Sequence, residues 1–481
     1  MIESIVAEEQ PGNGSVPAPA GGSVDQVYRD RCDRFARLRD SNSGRWSRIA
    51  DLRLLVFLLA LIAAVWGIVA QARLLGALAV LLFAGFALLA RYHGRLQRVR
   101  RRYELLARIN DAALHRVQRR WDMLQQRHPK SAERGHAYAD DLDIFGRGSL
   151  LQLLDPGLTP VGLDTLRRWL LAPAPLETIA ERQPAVTELA PALDFRQELL
   201  LRRRLMGSSG NLGPFLEWAE GDRWLSGRTA LLWAARISVL LLWLAALAQV
   251  AGLVANPLWL APLLLNLLLA QTLGREASHR LGKIYLREGA FRRYGELLAL
   301  VSSTAFVAPA LRQIQGDLLH DSAPAHEALR RLQRLTSLIV PPSALAHSLV
   351  QALTLWDLHL LAALEEWQAA AGRRVRGWLS ALAEMEALTA LAGLAHDNPD
   401  WALPKIDPAA EKLVSRNLGH PLLAADVRVV NDLEIGPAGS FLLVTGSNMS
   451  GKSTLLRAIG LNLVLAGAGG PVCASAFCCP P

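Results

Sequence analysis

The chain is short of lysine, short of cysteine, and free of charge inside its longest apolar runs. Only five lysines (Lys130, Lys283, Lys405, Lys412 and Lys452) stand among 52 Lys and Arg residues, so the positive charge is almost all arginine. A GC-rich genome accounts for that bias without any arginine-specific role. The formal net charge of +9 and a pI near 9.8 point to an anionic partner, nucleic acid or lipid headgroups. The four cysteines (Cys32, Cys473, Cys478 and Cys479) form no CxxC pair and no His/Cys metal spacing. That argues against a disulfide scaffold and a zinc site, and fits a reducing setting. The opening MIESIVAEEQPGNGSVPAPAGGS lacks the basic end, apolar core and cleavage pattern of a secretory signal. Its acidic, then Pro/Gly/Ser-rich composition predicts a disordered tail.

What is abundant is apolar. Hydrophobic residues make up 51% of 481 positions and the mean hydropathy is +0.21, a value that suggests membrane segments in a chain long enough for several domains. Leu54–Ala70 and Leu74–Ala90 carry no charge, are separated by QAR, and are apolar all round. Each has about the minimum length of a bilayer-spanning helix. Ile237–Ala255 and Leu258–Leu273 repeat the pattern across Asn256-Pro257; the last run, with Pro262 and Asn266, also suits a re-entrant segment. Arginines flank both pairs, among them Arg45, Arg48 and Arg53, then Arg91 and Arg95, and later Arg228, Arg236, Arg275 and Arg280. The positive-inside tendency therefore predicts two hairpins with all ends in the cytoplasm of a multi-pass inner-membrane protein. No ionisable side chain lies inside any run, so the hairpins read as anchors and offer no ion carrier.

The stretch 91–127 is rich in Arg, and its apolar residues Leu96, Val99, Tyr103, Leu106, Ala113, Val117, Trp121 and Leu124 recur at helical steps. An amphipathic helix is expected, either as a basic flank against anionic lipid or as a phosphate-contacting face. From Glu276 to Ala395 the sequence is helical and rich in Leu and Ala. After NPDWALPKIDP the texture turns to short β-type runs, VRVVNDLEI and SFLLVTG.

The chemistry is concentrated near the end of the chain. Gly446, Ser447, Asn448, Met449, Ser450, Gly451, Lys452 and Ser453 match the eight-position phosphate-loop pattern in full, with Thr454 following. A strand over Phe441–Val444 is expected before the loop and a helix over Thr454–Leu465 after it. In that arrangement, glycines let backbone N–H groups turn inward on an anion at the helix N-terminus. Lys452 would reach the β- and γ-phosphates of ATP, and the Ser453 hydroxyl would ligate Mg2+.

TGSNMSGKSTLLRAIGLNLVLAGAGGPVCA resembles the MutS family, whose loop reads T-G-P-N-M-G-G-K-S-T and is followed by a helix and a turn ending in Val-x-Ala, here Val472-Cys473-Ala474. LGHPLL resembles that family's Arg-His-Pro segment near the nucleotide: His420 and Pro421 match, whereas Gly419 stands where arginine is usual. Residues 141–189 resemble the opening of the MutS core, and LSALAEMEALTALAGLAHDNPDWALPKI resembles the helix returning to the ATPase domain, with Glu386 where aspartate is more common. The resemblance implies a nucleotide site that includes His420 and a polar role for Asn448 near the γ-phosphate. It also implies DNA-dependent ATP hydrolysis, DNA binding, and a homodimeric clamp in the complete protein.

Departures from the family are equally specific. Phe215-Leu216-Glu217 matches a mismatch reader by letter but sits within the core block, so it is not expected to read DNA, and mismatch selectivity is in doubt. No strand ending in Asp-Glu and no Ser/Thr-rich loop follows Thr454, and SAFCCPP breaks the pattern; a C-terminally truncated product is expected, without assignable catalytic residues. The expected fold is mainly α, membrane hairpins plus a helical MutS-like core and lever, followed by an incomplete α/β P-loop ATPase domain. Its order is a tail over 1–50, hairpins over 51–92 and 223–275, an Arg-rich helix over 93–137, core over 138–222, lever over 276–402 and half an ATPase domain over 403–481. The alternatives are an ABC-type transport ATPase using the hairpins as its path, or a membrane scaffold without ATP turnover.

Overall fold

A computed structural model describes residues 23–126, 135–207, 212–284, 290–319, 324–341, 345–447 and 451–481. The first 22 residues of the tail expected over 1–50, residues 127–134 of the Arg-rich helix expected over 93–137, and the loop residues Asn448, Met449 and Ser450 lie outside them. Among the described residues helix makes up 69% and strand 4%, so the fold is mainly α with a small mixed sheet. The chain divides into two compact units, residues 1–157, 167–204 and 389–481 in one and 158–166 and 205–388 in the other. The expected core block of 138–222 is thus shared between them.

The first unit opens with α1 (Val24–Val69) and α2 (Arg73–Val117), paired antiparallel. Their sequences contain no proline and are dense in Leu, Ala and Arg, all good helix formers, so nothing interrupts either helix. Ser23 caps α1, its side chain accepting from Gln26 N–H at 3.4 Å. The helix therefore begins inside the stretch expected as tail. Likewise the Arg-rich segment is no separate helix: it continues the second apolar run and ends at Val117. Phe57 meets Phe86 at 5.3 Å and Trp46 meets His93 at 4.9 Å across the pair. At its base, Leu105, Leu106 and Ile109 form a buried cluster with Leu201. Arg102 is anchored to Glu198 at 2.6 Å, and Asn110 exchanges amide hydrogen bonds with Gln197 at 2.7 and 3.2 Å.

Next come α3 (Leu150–Leu154), α4 (Pro160–Leu171), α5 (Leu176–Leu189) and α6 (Leu193–Leu205). The second unit holds α7 (Gly213–Glu220), α8 (Thr229–Val250), α9 (Leu260–Leu269), α10 (Arg275–Ile284), α11 (Ala290–Ser303), α12 (Pro309–Leu319), α13 (Ala325–Thr336), α14 (Leu345–Thr354) and α15 (Trp356–Ala371); α16 (Val375–Asp397) returns the chain to the first. Phe215 of α7 is 2% exposed and packs on Phe291 at 4.7 Å and on Trp367 at 6.4 Å. It is a core ring, as its place in the core block suggests. Glu365 takes the N–H groups of Trp224 and Leu225 at 2.9 and 2.8 Å; burial raises its pKa against those two bonds.

The fourth expected span differs in form from a simple rod. α9 has ten residues and passes through a π-helical turn, Ala270–Gly274, into α10. Ser238 donates to the buried Asn266 at 2.7 Å, which ties α8 to α9. Among the described residues, four helical stretches are long and apolar enough to cross a membrane: Val24–Val69, Arg73–Val117, Thr229–Val250 and Trp356–Asp397. The apolar windows of the first three are 11%, 6% and 17% buried, whereas that of Trp356–Asp397 is 78% buried, so the last is core.

The sheet belongs to the first unit. β1 (Lys405–Ile406), β2 (Leu413–Leu418), β3 (Asn431–Ile435) and β4 (Ala476–Cys479) lie in the order β1-β4-β2-β3, with β1 and β4 parallel and the other pairs antiparallel. Lys412–Glu434 at 2.6 Å and Arg416–Asp432 at 2.7 Å are exposed cross-strand ion pairs. Of VRVVNDLEI, only Asn431–Ile435 is strand. Phe441–Val444, expected as the strand entering the phosphate loop, pairs with nothing in this sheet, and Phe441 is 86% exposed. Strand preference is a preference for pairing and packing, so an apolar run without a partner strand does not become one.

Candidate nucleotide-binding site

The expected phosphate loop ends on Gly451, whose φ of +84° is the left-handed conformation that favours glycine. α17 (Lys452–Ala468) starts there, with Leu455 N–H bonded to Gly451 O at 2.9 Å. The expected helix over Thr454–Leu465 lies wholly inside it. As at any helix start, the first-turn amides of Lys452, Ser453 and Thr454 have no acceptor within the helix, which leaves donors for an anion. Lys452 Nζ turns back over the loop, donating to Ser447 O at 2.7 Å and to Gly446 O. Ser453 and Thr454 are exposed. The donor set at this helix start therefore fits a phosphate group: an ammonium held by weak neutral acceptors, hydroxyls, and outward amides. Among the described residues no cluster of His, Cys, Asp and Glu could hold a metal ion. A Mg2+ here would depend on Ser453 and on the phosphates themselves.

The helix is fitted closely to its surroundings. A Cβ on Gly460 would lie 2.6 Å from Leu142 Cδ2, and one on Gly467 2.9 Å from Pro173 Cβ. Arg182 stacks 3.5 Å above Trp169 and donates to Ala468 O at 3.0 Å, placing a cation on the last carbonyls of α17. Asp143 pairs with Arg457 of its first turns at 2.6 Å.

His420 is 9% exposed and accepts from Leu422 N–H on Nδ1 at 3.3 Å. The two segments that resemble the family's flanking motifs meet at one residue absent from the expected site, Asn462. Its side chain donates to Gly419 O at 3.0 Å and accepts from Cys473 N–H at 2.6 Å, and Gly419 N–H bonds Cys473 O at 2.8 Å. A lone amide within the apolar GLNLVLAGA is the signal that could have identified it. At Gly419 a Cβ would stand 2.4 Å from Arg428 Cδ, so a side chain there would have to displace that of Arg428. Arg428 crosses there to donate to Leu423 O at 3.0 Å. Burial pushes the Cys473 thiol up, with Arg428 opposing, so Cys473 is a protonated core thiol. Cys478 and Cys479, adjacent on β4, alternate between faces and do not act together.

Arg119 was also outside the expected site. It lies two residues beyond the end of α2, is buried, and donates to Pro421 O at 3.1 Å and Arg116 O at 2.8 Å. Tyr28 of α1 donates to Asp397 at 2.5 Å. Burial raises the Asp397 pKa, but the His396 hydrogen bond and charge, Arg116 and Tyr28 outweigh it and leave it lowered.

Burial and then Arg457 hold the His420 pKa below its ordinary value, with Asp143 opposing. A depressed folded-state value means that the neutral ring stabilises the fold above the unfolded value of about 6.5. That stability is lost as the pH falls from there through the folded-state value. His420→Asn keeps an acceptor for Leu422 N–H, so its melting temperature should change less between pH 7.5 and 5.5 than that of the parent. Equal losses in a paired thermal melt would refute the assignment.

No protein-family model matches the chain. Among curated proteins, the DNA mismatch repair protein MutS of Chlorobaculum parvum is 28% identical over 360 residues, 67% of this chain and 40% of that protein. MutS of Myxococcus xanthus is 26% identical over 381 residues, 69% of this chain and 41% of its own length. Over two thirds of its length this chain is similar to MutS. A shorter stretch rises higher: MutS of Dinoroseobacter shibae is 41% identical over 103 residues, 20% of this chain and 12% of that protein. The MutS-like chain spans about two fifths of the length of relatives matched along most of it.

Proposed function

We propose that this MutS-like chain binds ATP with Mg2+ at Gly446–Thr454 and couples that state to helical elements anchored in a membrane, acting on DNA. The observation that carries the nucleotide reading is Gly451 in the left-handed conformation at the head of a 17-residue helix, with Lys452 folded over the loop. Lys452 would hold the β- and γ-phosphates and Ser453 the Mg2+. Bound Mg-ATP supplies a high-energy phosphoanhydride whose cleavage can reset the protein.

Support for coupling comes from a continuous set of hydrogen bonds in the first unit. Asn462 links α17 to Gly419, and Arg119 links the adjoining Pro421 to the foot of α2. Support for the anchor comes from α1, α2 and α8, whose apolar windows are left uncovered by protein. The DNA role rests on the similarity to proteins named for mismatch repair and on the net positive charge.

The test uses the full chain purified in detergent. A fluorescent ATP analogue should bind in the presence of Mg2+, and homoduplex DNA should bind at low salt, with affinity falling as salt rises. Absence of nucleotide binding would sink the ATPase reading; absence of DNA binding at low salt would remove the DNA role alone. Carbonate washing of membranes should leave the chain in the pellet, and its release into the supernatant would sink the anchor.

A further inference from the structure

At the foot of α2, a cavity of about 660 Å³ is lined by residues 119–123 together with Arg147 and Gly148. It carries three guanidinium groups, from Arg119, Arg120 and Arg147, against one carboxylate, Asp122, which Arg147 engages. The Arg120 side chain is exposed and, among the described residues, makes no hydrogen bond or ion pair. Arg119 is 8% exposed, and among the described residues its hydrogen bonds go to neutral oxygens: Pro421 O, Arg116 O, Val117 O at 3.2 Å and Asn398 Oδ1 at 3.5 Å. Burial, and then the like charge of Arg428, bring its pKa down to about 10, with Asp397 opposing. A buried guanidinium without a directly bonded carboxylate is a costly arrangement that an anion in the cavity would relieve.

The rest of the wall is apolar. Met123 is 64% exposed, and the half-buried Trp121 indole lies beside Gly148, where an added Cβ would stand 3.9 Å from Trp121 Cδ1. Gly148 has a φ of +67°, so a side chain there is strained, although a Cβ would make only ordinary contact with the indole. An indole and a thioether beside the guanidinium groups of Arg120 and Arg147 suit a ligand with a flat ring and a phosphate. Inorganic phosphate would leave the apolar wall unused, and the cavity lies within the usual range for small-ligand sites.

We propose that this cavity binds a nucleotide unit, free or within a single nucleic-acid strand, with the phosphate on Arg120 and Arg147 and the base against Trp121 and Met123. The site is separate from the phosphate loop and does not depend on the reading of that loop.

The test is fluorescence anisotropy on the full chain carrying Lys452→Ala, which disables the phosphate loop. Its probes are a fluorescent AMP analogue and a labelled oligo(dT). Binding of either probe should persist in that background and weaken about tenfold or more in Arg120→Ala/Arg147→Ala and in Trp121→Leu. Binding of AMP alone assigns a free nucleotide, and binding of the strand alone assigns nucleic acid. If neither probe binds, or if the arginine variants keep full affinity, the proposal is overturned. Should the arginine variants lose their helical circular dichroism, Met123→Glu decides. It adds a repelling charge at an exposed position, and unchanged affinity there would also overturn the proposal.

Discussion

Replacing Lys452 with alanine is expected to weaken Mg-ATP binding by roughly 30-fold or more, the usual scale for losing a charge-assisted bond to phosphate. The fold should survive, because among the described residues Lys452 Nζ bonds only the loop carbonyls of Gly446 and Ser447 and packs no core. Titration of a fluorescent ATP analogue against parent and variant, with circular dichroism as the control for folding, reads this directly. Ser453→Ala should weaken binding in Mg2+ but change little in EDTA, because its hydroxyl is assigned to the ion and not to the phosphates. An equal loss in both conditions would contradict that role. If Lys452→Ala bound ATP as the parent does, the loop would not be the nucleotide site, and the coupling through Asn462 would lose its input.

The largest expected effect on stability lies far from the loop, at Gly372 in the second unit. A Cβ there would stand 2.1 Å from Ala219 O and 3.1 Å from Ala219 C, both backbone atoms of α7 that have little freedom to move. Gln368 holds that helix end in place, donating to Trp218 O and Gly221 O, each at 2.7 Å. Gly372→Ala should therefore cost about 3 kcal/mol, the upper range for overpacking. Gly377→Ala, five residues on, meets nothing within 4 Å on the exposed side of α16. There the substitution should stabilise by about 0.5 to 1 kcal/mol through helix propensity and a less flexible unfolded chain. Urea unfolding followed by tryptophan fluorescence distinguishes the two, since Trp218 and Trp367 stack at 6.1 Å beside Gly372. Similar shifts for both variants would show that the clash is relieved by local movement.

Much of the chain was legible without coordinates because its signals are local. Gly451 supplies the left-handed turn that opens a helix, and α17 follows from it. The apolar runs announce long helices by composition, and Phe215 was already placed within a core block by the residues around it. What was not legible depends on partners far along the chain. Arg119 and Pro421 are 302 residues apart, and Tyr28 and Asp397 are 369 apart, so no periodicity links them. Phe441–Val444 carries every local mark of a strand and still forms none, because a strand is completed by its neighbour. The stretch Trp356–Asp397 passes as a membrane helix by composition, yet 78% of its apolar window is buried, which makes it core.

By itself, then, the sequence determined the elements whose cause lies within a few residues: the glycine turn at Gly451, the helix behind it, and the uncharged runs of the hairpins. Tertiary structure alone decided which residues surround that helix, that Asn462 joins its two flanking motifs, and that Arg119 lies buried among carbonyl oxygens above a cavity. The reason is physical. Backbone conformation and hydropathy are set by near neighbours, whereas close approach, buried charge and strand pairing exist only once distant segments have been brought together.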